Sequence, residues 1–173
     1  MYRNTNGSSH AATFQLFPCN GQMSDMTNTP AYDDSNIFAK ILRGELPCHK
    51  VFENDDFIAF MDVMPQAPGH TLVVPKAPSR NLLDADPNVL QKLLPVVQRM
   101  ARAVKKAFAA DGMTVMQFNE AAGGQTVFHL HVHVIPRHEG EPLKRHEGGM
   151  EKPDVLAAHA EKIRVALKET PDG

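Results

Sequence analysis

The chain has 173 residues, 42% hydrophobic and 22% charged, with a formal net charge of −2. That composition fits one globular domain and offers no bulk electrostatic case for nucleic acid or an anionic membrane as partner. No apolar run approaches the roughly 20 residues of a spanning helix, no secretory signal pattern is visible, and Cys19 and Cys48 form neither a disulfide nor a metal-binding pattern, so a cytoplasmic setting is expected.

Residues 1–33 are rich in Asn, Ser, Thr and Gly without a sustained period, which predicts a disordered tail whose Met23 or Met26 could be a natural start. Ser35 is the expected N-cap of a short helix through Arg43, stopped by Gly44, with Ile37, Phe38, Ile41 and Leu42 as its apolar stripe. Lys50–Glu53 and Phe57–Met61 predict a hairpin around Asn54-Asp55-Asp56. Asp62 follows, then a loop from Pro65 to Gly69 and a strand over His70–Pro75. Asp86 and Pro87 mark the start of a long helix. Its stripe of Leu90, Leu93, Val97, Met100, Val104 and Phe108 runs to about Ala110, with a kink near Gln91 expected from Pro95. Met113–Phe118 reads as a strand, His138–Met150 as a polar loop with Lys144, Arg145 and His146 clustered, and Pro153 to about Lys168 as a last helix.

The most informative stretch is His129-Leu130-His131-Val132-His133-Val134-Ile135-Pro136. Its period of two predicts a strand with three histidines on one face and Leu130, Val132 and Val134 on the other, ended by Pro136. The histidine face admits three readings. It could be a polar face without chemistry. It could hold a metal through two of the three imidazoles, since neighbours on one face lie about 6.6 Å apart and the outer pair about 13 Å. Or the central imidazole could be a nucleophile. The lead-in favours the third reading. Gly123-Gly124 permits positive φ and close approach of a ligand to bare backbone, and Gln125 and Thr126 bring an amide and a hydroxyl suited to phosphate.

From Gly124 through His133 the chain resembles the histidine triad superfamily, whose motif is three histidines alternating with apolar residues. The resemblance extends from about Asn36 to Arg137, taking in Ile37-Phe38-Ala39-Lys40-Ile41 and Pro65-Gln66-Ala67-Pro68-Gly69-His70. It implies that His131 is the nucleophile, with His129, His133 and His70 around it. It further implies a phosphate site of Asn119, Gly124, Gln125 and Thr126, and a nucleoside site of Ile37, Phe38, Ile41, Phe60, Asp62 and Val63, with Asp62 accepting from the ribose hydroxyls. Many bacterial relatives carry a Cys-x-x-Cys pair at the short helix as part of a zinc site; Asn36 and Ala39 stand there in this chain. No metal and no cofactor are therefore expected.

The expected fold is α+β: about five mostly antiparallel strands, one long and one short helix, and a C-terminal helix. The expected organisation is a tail over 1–33, a histidine triad domain over 34–145 and an extension over 146–173. The resemblance implies a homodimer, formed by the long helix and the strand before the triad, which joins two sheets into one of ten strands. It also implies hydrolysis at the α-phosphate of a purine nucleotide substrate. Pro65-Gln66-Ala67-Pro68 looks like the phosphoramidase branch, and Val134-Ile135-Pro136-Arg137 more like the dinucleoside polyphosphate branch. A slow nucleotide-binding regulatory module is the remaining alternative.

Overall fold

The structure is a computed structural model, and it describes residues 30–144 and 149–170. Most of the expected tail, and Arg145 and His146 of the basic cluster, lie outside the described residues. Among the described residues three α-helices and five strands follow one another: α1 (Ile37–Leu42), β1 (Lys50–Glu53), β2 (Phe57–Met61), β3 (Thr71–Pro75), α2 (Pro87–Ala107), β4 (Gly112–Met116), β5 (Val132–Arg137) and α3 (Pro153–Lys168). The strands form one antiparallel sheet in the order β1-β2-β3-β5-β4. The α+β architecture is thus the one expected. Among the described residues, no helix is long and apolar enough to cross a membrane.

Local chemistry accounts for the element ends. α1 is capped by Asn36 rather than Ser35: the Asn36 side-chain oxygen accepts from Phe38 and Ala39 N–H, each at 3.0 Å, which satisfies two orphan donors at once. Asp86 caps α2 by accepting from Asn88 N–H at 2.7 Å, and the helix runs without a break through Pro95 to Ala107. β5 differs from expectation at both ends. It begins only at Val132, so His129 and His131 belong to the segment leading into it, and it continues through Pro136. The proline is tolerated because β3 pairs only with Val132–Val134, leaving Pro136 paired with β4 alone.

Alternation along the strands separates two faces. Val51, Phe57, Ala59, Met61, Val73, Val132 and Val134 join Leu130 in the main core with α2 and α3. Ile58, Phe60, Leu72 and Val74 face the other way and pack with Phe38 of α1. Helix α3 completes the main core, with Leu156, Ala160, Ile163, Ala166 and Leu167 buried against it, and Arg164 Nη1 donates to Lys50 O at 2.7 Å on edge strand β1. The described residues from Ala31 onward cluster as one compact unit. At the far end of α2, Phe108 packs where Gly69 (φ +93) lacks a side chain; a Cβ there would lie 2.5 Å from the Phe108 ring.

Candidate active site

The site lies on the α1 face of the sheet, around a cavity of about 270 Å³. His133 reaches that face because its strand partner Leu72 does, while Val132 and Val134 point into the core. Of the expected nucleoside residues, Ile37, Phe38 and Ile41 line the cavity from α1, and Phe60, Asp62 and Val63 from β2 and the turn after it. Thr126, His131 and His133 line it from the lead-in and β5. The cavity wall is thus mostly apolar, with one carboxylate and two imidazoles converging on it, the usual character of a small-molecule site. A larger groove of about 800 Å³ runs beside α2 and β4, past Leu94 and Val115, and carries no histidine.

His131 Nδ1 lies 2.6 Å from the carbonyl oxygen of His129. A carbonyl can only accept, so Nδ1 carries the hydrogen and the Nε2 lone pair of neutral His131 is the basic, nucleophilic one. Phe38 packs edge-on against the His131 ring, centroids 5.0 Å apart. His131 itself is 5% exposed, held in one orientation by this packing and the Nδ1 bond.

His70 and His133 form a second arrangement of imidazoles. Gln66 N–H donates to His70 Nδ1 at 3.2 Å, so neutral His70 carries its hydrogen on Nε2. That atom lies 2.9 Å from His133 Nδ1, which therefore accepts, leaving His133 Nε2 as the N–H donor. Asp62 Oδ2 stands 3.5 Å from His70 Nε2 and 3.9 Å from His133 Nδ1, and Asp62 Oδ1 accepts from Met64 N–H at 2.8 Å. Ligand atoms of Asp62, His70 and His133 lie within 4.8 Å of one another, close enough for a metal ion. The Gln66 bond, however, places hydrogen on the very nitrogen a metal would need, so the three fit a hydrogen-bond chain better than an ion site. At the zinc-motif positions, Asn36 is a helix cap and Ala39 is buried apolar contact.

The expected phosphate residues divide. Thr126 is exposed at the cavity, and Gly124 takes φ +94 in the turn before it, whereas Gly123 does not use the positive region. Gln125 does not face the cavity. Its amide donates to Arg80 O at 2.7 Å and Val127 O at 3.0 Å, and its oxygen accepts from Glu120 N–H at 2.8 Å. It braces the loop from inside and leaves no amide hydrogen for a phosphate. Asn119 also serves the loop, accepting from Leu82 N–H at 3.1 Å and donating to Gln117 at 2.9 Å.

Sequence reading did not identify the residues that hold this loop in place. Arg80 makes a two-pronged pair with Glu120 at 2.7 and 2.8 Å, and its guanidinium lies 3.9 Å over the Phe128 ring. Asn81 Nδ2 adds a bond to Glu120 at 2.7 Å. These contacts hold Glu120 at φ +61, a conformation a non-glycine residue keeps only when its surroundings impose it. His129 is fully buried outside the cavity wall, between Pro75 O, 2.8 Å from Nε2, and Tyr32, whose hydroxyl lies 2.6 Å from Nδ1.

Comparison with known proteins matches residues 43–140 to the HIT domain family. A protein of Arabidopsis thaliana described as adenylylsulfatase HINT3 is 36% identical over 122 residues, which cover 67% of this chain and 62% of that protein. The crystal structure of a Hit-like protein involved in cell-cycle regulation from Bartonella henselae, with an unknown ligand, shares 60% identity with a TM-score of 0.74, over 79% of this chain and 99% of that one. A zinc-bound histidine triad family protein from Mycobacterium smegmatis is 34% identical with a TM-score of 0.70, over 78% of this chain and 94% of that one.

Proposed function

Since the chain belongs to the HIT domain family, we propose that it is a nucleotidyl hydrolase that cleaves at the α-phosphate of purine nucleoside phosphoramidates through a covalent nucleotidyl-histidine intermediate. The observation that carries this reading is the 2.6 Å contact from His131 Nδ1 to the His129 carbonyl in the wall of a largely apolar cavity. It puts the basic lone pair on the other ring nitrogen of His131, which supports a nucleophilic role for that atom.

In the first step His131 Nε2 bonds to the α-phosphorus and the bond from phosphorus to the leaving amine breaks, the amine departing with a proton taken from solvent, which the attacking water of the second step gives back. In the second, water adds to phosphorus, the phosphorus–nitrogen bond to His131 breaks, and the nucleoside monophosphate leaves. Splitting one displacement into two lowers each barrier. His133 Nε2–H and the Thr126 hydroxyl are the donors for charge developing on the phosphoryl oxygens and leaving group. Ile37, Phe38, Ile41 and Phe60 make an apolar slot for the base, and Asp62 is the acceptor for ribose hydroxyls. Gln125, Asn119 and Glu120 act at one remove, by shaping the loop that carries Thr126.

Dinucleoside polyphosphates are the second substrate class. Lys144 supports it: its backbone is bonded in both directions to Gln66, with Lys144 N–H to Gln66 O at 3.1 Å and Gln66 Nε2 to Lys144 O at 3.0 Å. This anchors one end of the basic cluster beside the loop that delivers His70. The homodimer belongs to the same proposal. It is supported by Leu94 and Val115, 69% and 48% exposed, beside the α2–β4 groove.

The test is turnover of an adenosine 5′-phosphoramidate and a diadenosine polyphosphate, each with and without chelator. Chelator-resistant hydrolysis with the phosphoramidate preferred is expected. Binding of both without turnover would instead make the protein a nucleotide-binding module.

A further inference from the structure

The segment before α1 reaches a triad histidine through Tyr32. The Tyr32 hydroxyl is 2.6 Å from His129 Nδ1, and its ring stands edge-on to the imidazole, centroids 5.5 Å apart. Asn36 Nδ2 donates to the same hydroxyl oxygen at 3.1 Å, while Asn36 Oδ1 caps α1.

The proton positions follow from the partners. His129 Nε2 faces the Pro75 carbonyl at 2.8 Å and must donate to it. Burial holds the His129 imidazole below its ordinary value of 6.5, with the Pro75 bond opposing that shift, His131 adding to it and Asp84 countering it. The ring is therefore neutral near pH 7, and Nδ1 is an acceptor with no hydrogen of its own. Burial also raises the Tyr32 phenol above its ordinary value, so it stays protonated. With Asn36 donating to its oxygen, the phenol hydrogen is directed to His129.

We propose that Tyr32 is a positioning residue for catalysis: by donating to His129 Nδ1 it locks the ring whose carbonyl fixes the tautomer of His131. The relay runs from the α1 cap through Tyr32 and His129 to the nucleophile, and each link is a hydrogen bond of 3.1 Å or shorter. Tyr32 is not among the cavity-lining residues. Its removal should therefore disturb the orientation of His131 and not the binding of nucleotide. Without the phenol, the Nδ1 lone pair is left unsatisfied in a fully buried ring, and the ring relieves this by rotating away from Pro75. That rotation pulls on the His129 backbone, whose carbonyl holds His131.

This inference rests on the hydrolase reading for its kinetic arm only. In the full chain, Tyr32→Phe keeps the ring and deletes the donor. Its kcat for an adenosine phosphoramidate should fall about tenfold, the scale of one lost positioning bond, with KM unchanged. In the free protein, ring-nitrogen NMR of His129 should show Nδ1 accepting a hydrogen bond in wild type and losing it in the variant. A wild-type kcat together with an unmoved His129 signal overturns the proposal. So does a loss confined to KM, which would make Tyr32 a substrate contact. Absence of turnover in wild type counts against the hydrolase reading, and the NMR measurement still decides the role of Tyr32.

Discussion

The two faces of the sheet are covered very differently. On one, α2 and α3 bury a continuous apolar layer from Val51 through Val134. On the other, six-residue α1 covers only part of the strands, and the uncovered part holds His131, His133 and Asp62 around a cavity. The same alternation that sends Val132 and Val134 into the core sends His133 to the opposite side, so one strand serves stability and chemistry at alternate positions. The rigid face fixes the backbone from which the histidines project, which is the condition for donors to be in place before charge develops.

Exchanging the roles of the two faces by mutation should produce different failures. On the open face, His131→Ala should lower kcat on the order of 10³-fold or more while AMP still binds, a combination that calorimetric titration beside a hydrolysis assay would reveal. Near-full activity would remove the nucleophile from His131. On the closed face, Leu156→Ala should cost about 2–5 kcal/mol of stability by opening a void in the core, read from urea unfolding, with KM retained. A smaller loss would mean that α3 is peripheral to the core after all.

The smallest expected effect compares the buried His129 with the half-buried His159 on the closed face. His129 and His159 both have pKa values held below the ordinary 6.5, in each case chiefly by burial. For such a base the unfolded chain takes up protons that the folded chain refuses. Stability is therefore fully present above about pH 6.5 and declines as the pH falls below it. His159 packs edge-on to Phe108 at 5.2 Å on the closed face, and its Nδ1 has no hydrogen-bond partner among the described residues. His159→Leu should flatten part of the acid decline without touching kcat. Urea midpoints measured between about pH 7.5 and pH 5.5 would check this, and an unchanged slope would trace the decline to other groups.

What sequence reading captured was local. Period two separated Leu130, Val132 and Val134, which enter the core, from His131 and His133, which line the cavity, the Asn54-Asp55-Asp56 turn placed the first hairpin, and Asp86-Pro87 placed the start of α2. What it missed depends on long-range contacts that leave no local trace. Tyr32 and His129 are 97 residues apart, and Arg80 and Glu120 are 40. Gln125 looked like a phosphate donor because its neighbours are a glycine turn and a hydroxyl. The inward rotation of its side chain is set by carbonyls of Arg80 and Val127 that only the folded loop brings together. The N-cap slipped by one residue for a local reason: Ser35 and Asn36 are both good caps, and Asn36 also has Tyr32 as partner. The role of α3 was hidden because an amphipathic stripe shows that a helix packs, not where.

The meeting of Gly69 with Phe108 bears on how this scaffold could be redesigned. Gly69 immediately precedes His70, and its missing side chain is the space that the Phe108 ring fills at the end of α2. A designer seeking a new ligand preference would be drawn to vary the 65–69 loop, since it borders the histidines. Position 69 is closed to that search. Any side chain would have to displace an aromatic ring and adopt φ +93 as well. Gly69 and Phe108 have to be carried over as a matched pair, and the variation spent on the neighbouring positions instead.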